Sequence, residues 1–388
     1  MIVAKTGNEA MAYAMKQCKP DVVAAYPITP STEIVQIFSG YVADGLVDTE
    51  YVPAESEHSA MSACIGAAAS GARAMTATAA QGLALMHEML FIASGLRLPI
   101  VMCVASRALS APLNIHCDHS DSVASRDSGW IQIFCESSQE GYDSVIQAVK
   151  IAERAYLPVM VAIDGFILSH CMERLEILPD EDVSDFLGEF KPKYSLLDIK
   201  NPITVGPACL PDSYFEHKRA EAEGMRAAKG IIEEVIDEYH KRFNRYYPVI
   251  DEYQTEDAQV VVLAMGSTVG TAKIAVDELR AQGKKVGAVK LRFFRPIFTE
   301  KLISTLSKFK VVGVLDRVES MSSYISPLAT EIRSVLYHQT SRPIVVSYVY
   351  GLGGREITQQ DIKQIFEELL NIEKTKTIKD DVTYIGVR

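Results

Sequence analysis

The sequence predicts an α/β protein built from two units, each a parallel sheet covered by helices on both faces. Three observations carry the prediction. Short apolar runs alternate with helical patterns up to about residue 163, the same alternation restarts at Gln259, and the stretch between is irregular before it becomes one long charged helix.

The first strand is predicted at 22–25 and ends in Tyr26-Pro27-Ile28-Thr29-Pro30. Further strands are expected at 74–78, 100–105, 131–135 and 159–163, with helices near 31–44, 57–71, 83–95 and 139–155. Residues 165–212 are rich in Pro and acidic groups, and an amphipathic helix follows over about 213–244. In the second unit, strands are expected at 260–264, 286–291, 311–315 and 344–348, and helices near 270–281, 299–308, 326–338 and 358–370. The predicted division is therefore 1–245, a linker over 246–257, and 258–388. Ligands of such sheets bind in crevices beyond the carboxyl ends of the strands, so the turns after the strands matter most.

Composition removes several function classes. The chain has 388 residues and a formal net charge of −11, which argues against nucleic acid or anionic lipid as the main partner. The opening Met-Ile-Val-Ala-Lys-Thr-Gly has no basic region followed by an apolar core, so no secretory signal is expected. The most apolar stretch, 59–72, is built largely from Ala, Gly and Ser and reads as a close-packed helix rather than a membrane span. A cytoplasmic location is expected. The seven cysteines are scattered and never form C-x-x-C, which points to reduced, buried thiols and to no iron–sulfur cluster on this chain.

Several segments carry candidate chemistry. Two prolines fix the backbone of Tyr26-Pro27-Ile28-Thr29-Pro30-Ser31 and present Thr29 and Ser31 at the crevice, either as binding hydroxyls or as turn and helix cap. Glu55-Ser56-Glu57-His58 opens the small-residue helix. Its acids suit the helix dipole, or one of them is desolvated beside a basic heterocycle. Arg107 follows the 100–105 strand and is either a surface residue or a planar fork for a substrate carboxylate. Asn114-Ile115-His116-Cys117-Asp118-His119-Ser120-Asp121 superficially resembles a metal site. Its ligands are too local to close a coordination shell, so no metal is expected, and the 116–121 loop is expected to cover the substrate pocket. Gly266 and the run Gly351-Leu352-Gly353-Gly354 read as tight turns, since neither follows a dinucleotide or P-loop pattern.

Taken in order, these strings resemble the α chains of 2-oxoacid:ferredoxin oxidoreductases. The resemblance rests on Tyr-Pro-Ile-Thr-Pro-Ser (26–31), Glu-Ser-Glu (55–57), Ala-Gln-Gly-Leu (80–83), Ser-Arg-Ala-Leu-Ser (106–110), Asp-His-Ser-Asp (118–121) and Asp-Gly-Phe (164–166). It continues through Pro-Asp-Ser-Tyr-Phe-Glu-His-Lys-Arg (211–219), Arg-Phe-Phe-Arg-Pro (292–296), Gly-Val-Leu-Asp-Arg (313–317) and Gly-Leu-Gly-Gly-Arg-Glu (351–356). It implies a thiamine-diphosphate-binding-like pyrimidine domain followed by a transketolase C-terminal-like domain. It also implies a β subunit that brings the diphosphate and Mg²⁺ site, γ and δ subunits that carry [4Fe-4S] clusters and most of the coenzyme A site, and ferredoxin as electron acceptor. The nearest phrase here to the G-D-G diphosphate motif, Ile163-Asp164-Gly165, has no Asn until Asn201, in keeping with that division.

Residue by residue, the resemblance implies that Glu57 meets N1′ of the aminopyrimidine, that Arg107 holds the substrate carboxylate and that Thr29 hydrogen-bonds the substrate. Gln81 and Gly82 form a turn beside the cofactor, and Glu55 competes for the role of Glu57 because it lies two residues away. The implied reaction is oxidative decarboxylation of pyruvate. Alternatives are 2-oxoisovalerate, 2-oxoglutarate or oxalate as substrate, a component feeding lipoamide, or a non-catalytic assembly subunit. Neutral Thr29 argues against the dianionic acids.

Overall fold

The computed structural model describes residues 1–388. The first unit forms a seven-stranded sheet in the spatial order Phe293–Arg295, Ile131–Phe134, Val159–Asp164, Ile100–Ser106, Ala74–Thr78, Val22–Ala25, Glu50–Pro53. Six of these strands run parallel, so their carboxyl ends share one edge. Ala74–Thr78, Ile100–Ser106 and Val159–Asp164 are buried at every position, as a sheet covered on both faces requires. The chain reverses direction at Val22–Ala25. It goes first to Glu50–Pro53 on one side and then back to Ala74–Thr78 on the other, which makes a topological switch point there.

One face of this sheet packs on helices Gly7–Cys18, Thr32–Ala43, Ser138–Ala155 and Tyr214–Phe243, with Met11, Phe38, Ile146 and Tyr239 fully buried. The opposite face carries helix Glu57–Ala69. Its core, including Met61 and Leu83, is continuous with Leu263, Leu291 and Val314 of the second unit. The second sheet has six strands, all parallel except Ile250–Tyr253, and its far side is sealed by helices Thr268–Ala281 and Gln359–Thr375.

The structure adds elements the sequence does not predict, among them strands Glu50–Pro53 and Met172–Glu176 and helix Asp180–Leu187, and it departs from the expectations in four further places. Strand Ile2–Thr6 and helix Gly7–Cys18 precede the predicted first strand, and Thr6 and Glu9 cap that helix reciprocally. The helix expected at 83–95 is two, Ala80–Leu85 and His87–Gly95. The stretch 246–257, read as a linker, holds the strand Ile250–Tyr253, which pairs antiparallel with Val286–Leu291. Finally, Phe293–Arg295 leaves the second unit to pair antiparallel with Ile131–Phe134 of the first. No helix is long and apolar enough to cross a membrane.

Candidate active site

The five residues singled out in the sequence arrive at one place because the sheet order puts four strands side by side. Thr29 lies beyond Val22–Ala25, Glu57 beyond Glu50–Pro53, Gln81 and Gly82 beyond Ala74–Thr78, and Arg107 beyond Ile100–Ser106.

Glu57 is the first residue of helix Glu57–Ala69, whose N-cap Ser56 accepts the Ser59 amide at 3.2 Å. It is 5% exposed. Burial pushes its carboxyl above the usual carboxylate range, against the pull of a backbone hydrogen bond. Glu55 is exposed, and the hydrogen bond donated by the Ser59 hydroxyl holds its carboxyl below that range. Two glutamates two positions apart thus sit in opposite environments.

Gly82 faces Glu57. A Cβ built there would lie 2.5 Å from Glu57 Oε1 and 2.5 Å from Thr78 Oγ1, closer than side-chain atoms tolerate. Only a residue without a side chain lets the carboxylate and the hydroxyl close on this turn. Thr78 Oγ1 is buried and has no hydrogen-bond partner. In the sequence Thr78 is marked only by its place as the last strand residue, shortly before the Ala-Gln-Gly turn. Gln81 Nε2 donates to Ser110 Oγ at 2.8 Å, while its Oε1 is buried and unpartnered. A buried carboxyl pushed above the usual carboxylate range, a missing Cβ and orphaned polar atoms together fit the edge of a planar nitrogen heterocycle such as an aminopyrimidine.

Arg107 is 6% exposed and doubly fixed. Its Nη1 donates to the Thr29 carbonyl at 2.8 Å and its Nε to the Asn114 carbonyl at 3.0 Å. The rest of the guanidinium fork remains available to an anion. Thr29 is exposed, and it meets Arg107 through its main chain rather than its hydroxyl.

The 116–121 loop was expected to cover the pocket, but most of it is buried. His116 is exposed, whereas Asp118, His119 and Asp121 are buried. His119 Nε2 pairs with Asp164 Oδ1 at 2.8 Å. Asp164 Oδ2 also accepts Arg317 Nη1 at 3.0 Å, the Ser267 amide at 3.1 Å and the Ser267 hydroxyl at 2.5 Å. Burial works against the ionised form of Asp164, yet His119 and Arg317 hold its carboxyl well below the usual range. Candidate ligand atoms of Cys117, His119 and Asp164 come within 4.8 Å of one another, a grouping invisible in the sequence because Asp164 lies outside the loop. Arg317 already supplies the positive charge there, so the cluster works as an ion-pair clamp between the two units.

Two cavities lie away from these residues. One of about 390 Å³ is lined by Tyr350, Arg355, Tyr384 and Arg388 among others, and one of about 300 Å³ between the units is lined by Glu136, Glu140, Lys273 and Lys290 among others.

Two family models match separate stretches of the chain. Residues 13–237 match the family described as pyruvate flavodoxin/ferredoxin oxidoreductase, thiamine diphosphate binding, and residues 258–362 match pyruvate:ferredoxin oxidoreductase core domain II. The pyruvate synthase subunit PorA of Thermotoga maritima is 54% identical over 100% of this chain and 98% of its own. The ketoisovalerate oxidoreductase subunit VorA of Pyrococcus abyssi is 45% identical over 99% of this chain and 97% of its own. Among solved structures, the 2-oxoglutarate:ferredoxin oxidoreductase of Magnetococcus marinus shares the fold with a TM-score of 0.73 at 20% identity. That match covers 95% of this chain and 65% of the other.

Proposed function

This chain belongs to the pyruvate flavodoxin/ferredoxin oxidoreductase family, and from that premise we propose that it is the α subunit of a pyruvate:ferredoxin oxidoreductase. The assembled enzyme oxidatively decarboxylates pyruvate to acetyl-coenzyme A and CO₂, reversibly, and passes the electrons to ferredoxin. The observation that carries the reading is a single constellation on adjacent strand ends: buried Glu57 against Gly82, and Arg107 locked to the Thr29 carbonyl.

In this reading the unit 1–245 supplies the pyrimidine side of a thiamine diphosphate site and the unit 258–388 backs it. When bound, thiamine diphosphate supplies the carbon nucleophile for the 2-keto carbon and the sink for the electrons left by CO₂. Glu57, desolvated and inclined to keep a proton, exchanges that proton with a ring nitrogen of the aminopyrimidine. Gly82 leaves room for the ring edge, and Thr78 and Gln81 offer it their unpartnered oxygens. The free part of the Arg107 fork pairs with the substrate carboxylate. Thr29 presents a neutral hydroxyl, which gives a second carboxylate no cation. A β subunit brings the diphosphate and Mg²⁺ site, and γ and δ subunits bring the [4Fe-4S] clusters and most of the coenzyme A site.

The test is steady-state viologen reduction by the whole purified complex with pyruvate, 2-oxobutyrate, 2-oxoisovalerate, 2-oxoglutarate and oxalate. Pyruvate should give the highest kcat/KM. A lead for 2-oxoisovalerate would favour the second reading, which the 45% identical VorA relative supports. A lead for 2-oxoglutarate or oxalate would defeat the argument from Thr29.

A further inference from the structure

Asp121 has no part in the chemistry described above, yet it touches both halves of the site. It is 2% exposed and stands in the short helix Ser120–Ala124. One of its oxygens, Oδ2, accepts the Ala80 amide at 2.8 Å and the Arg107 amide at 2.9 Å. The other, Oδ1, accepts the Ser122 amide at 2.6 Å and the Ser122 hydroxyl at 3.1 Å. Ala80 begins the turn that carries Gln81 and Gly82, and Arg107 is the carboxylate fork. A single oxygen atom therefore bridges the cofactor side and the substrate side.

The Ala80 end of this bridge needs such a partner. Ala80 has φ +44°, a left-handed conformation that is unfavourable for a residue with a Cβ and persists only where its surroundings enforce it. It is also the first residue of helix Ala80–Leu85, and its N-cap, Ala79, makes no side-chain cap bond. Asp121 thus caps this helix from across the fold. The Arg107 end is reinforced by both neighbours of Asp121. Ser122 Oγ bonds Ser106 Oγ at 3.0 Å, and Ser120 Oγ accepts the Leu109 amide at 2.9 Å. Three consecutive residues, 120–122, therefore grip the loop at 106, 107 and 109.

We propose that Asp121 is a positioning residue that holds the 80–82 turn and Arg107 in register through its shared Oδ2, so that losing this acceptor disturbs substrate binding and turnover together. The inference rests on the functional reading of Glu57, Gly82 and Arg107 given above. Losing uniform substrate binding raises KM, and losing an interaction made only in the transition state lowers kcat. A bridge moves both.

The experiment compares Asp121→Ala and Asp121→Asn in the whole complex. The alanine has no acceptor, whereas the asparagine keeps one carbonyl oxygen for the Ala80 and Arg107 amides and gives up only the oxygen that accepts from Ser122. Asp121→Ala should raise the KM for pyruvate at least ~10-fold and lower kcat at least ~10-fold, the size of one misplaced contact, and Asp121→Asn should recover most of kcat. Hydrogen exchange provides a readout independent of activity: the Ala80 and Arg107 amides should both exchange faster in Asp121→Ala and be largely restored in Asp121→Asn. Faster exchange at only one of the two amides, a change in KM alone or kcat alone, or an asparagine as impaired as the alanine would overturn the proposal. If Asp121→Ala does not assemble, Asp121→Ser, whose shorter side chain cannot reach both amides, takes its place. Raised KM together with lowered kcat in Asp121→Ser, with recovery in Asp121→Asn, supports the bridge, and equal effects of the two variants reject it. A wild-type complex that turns over no 2-oxoacid, with the exchange pattern intact, would instead refute the functional reading and leave the bridge standing.

Discussion

Replacing Gly82 by alanine should separate activity from stability. The added Cβ would meet Glu57 Oε1 and Thr78 Oγ1 at 2.5 Å, whereas ordinary contact lies at 3.4–4 Å. Both neighbours are side-chain ends, so the fold yields by moving them, and the Glu57 carboxylate retreats by roughly 1 Å. A displacement of that size at a reacting group costs about 10²-fold in rate, or ~2.7 kcal/mol of barrier. Gly82 lies inside helix Ala80–Leu85, at a position with no positive φ. There alanine is the better helix former by about 1 kcal/mol, which offsets part of the packing cost. Gly82→Ala should therefore melt close to the parent while its kcat for viologen reduction drops about 100-fold. The assay is steady-state turnover of the whole complex with pyruvate at saturating thiamine diphosphate, alongside thermal unfolding of the same preparation. Activity within about threefold of the parent at unchanged melting temperature would show that Glu57 does not need the space above Gly82.

Other substitutions test separate parts of the site. Glu57→Gln should nearly abolish turnover in an assembled complex, and Glu55→Gln should lower it little; the reverse ranking would reassign the glutamate. Arg107→Ala should cut kcat/KM for pyruvate by at least ~10–100-fold, because a charge-assisted bond is worth roughly 1.5–3 kcal/mol, and a smaller loss than for Thr29→Ala would refute its role. Asp164→Asn leaves the 2% exposed Arg317 uncompensated and should lower stability by about 3–5 kcal/mol, read from the denaturant midpoint. The same variant tests a pH dependence. With the folded carboxyl of Asp164 held below the unfolded value of about 4, the unfolded chain binds the extra proton, so this stabilisation is complete above about pH 4 and is lost as pH falls through the folded value. The wild type should be steeper than Asp164→Asn on that acid limb, and coincident limbs would discount the clamp.

Central strands were legible in the sequence because a parallel strand buried on both faces is a continuous apolar run, as in Val159–Asp164 and Val311–Asp316. Edge strands were not. Glu50–Pro53 and Ile250–Tyr253 are four residues each and contain no fully buried position, so their pattern is diluted. Within the site, the residue types were visible but their environments were not. Glu55 and Glu57 look alike in the chain, and the start of helix Glu57–Ala69 buries one and exposes the other. The pairing of His119 with Asp164 and Arg317 joins three distant segments, so the 114–121 string looked like a local metal motif or a lid. Thr78 was overlooked because a threonine ending a strand is ordinary until its neighbours are known.

The short strand Phe293–Arg295 makes the two halves of this chain poor candidates for separate expression. It caps the outer rim of Ile131–Phe134, and the Phe134 amide donates to the Arg292 carbonyl at 2.8 Å. A fragment ending near residue 245 would lose that cover and leave an apolar strand, with Ile131, Ile133 and Phe134 all at most 1% exposed in the intact chain, open to pairing with another copy. The complementary fragment would carry the matching ribbon with nothing to bind. Mixing the two should rescue solubility only if they meet during refolding, so gene fusions or circular permutations of this subunit need to keep 131–134 and 293–295 on one polypeptide.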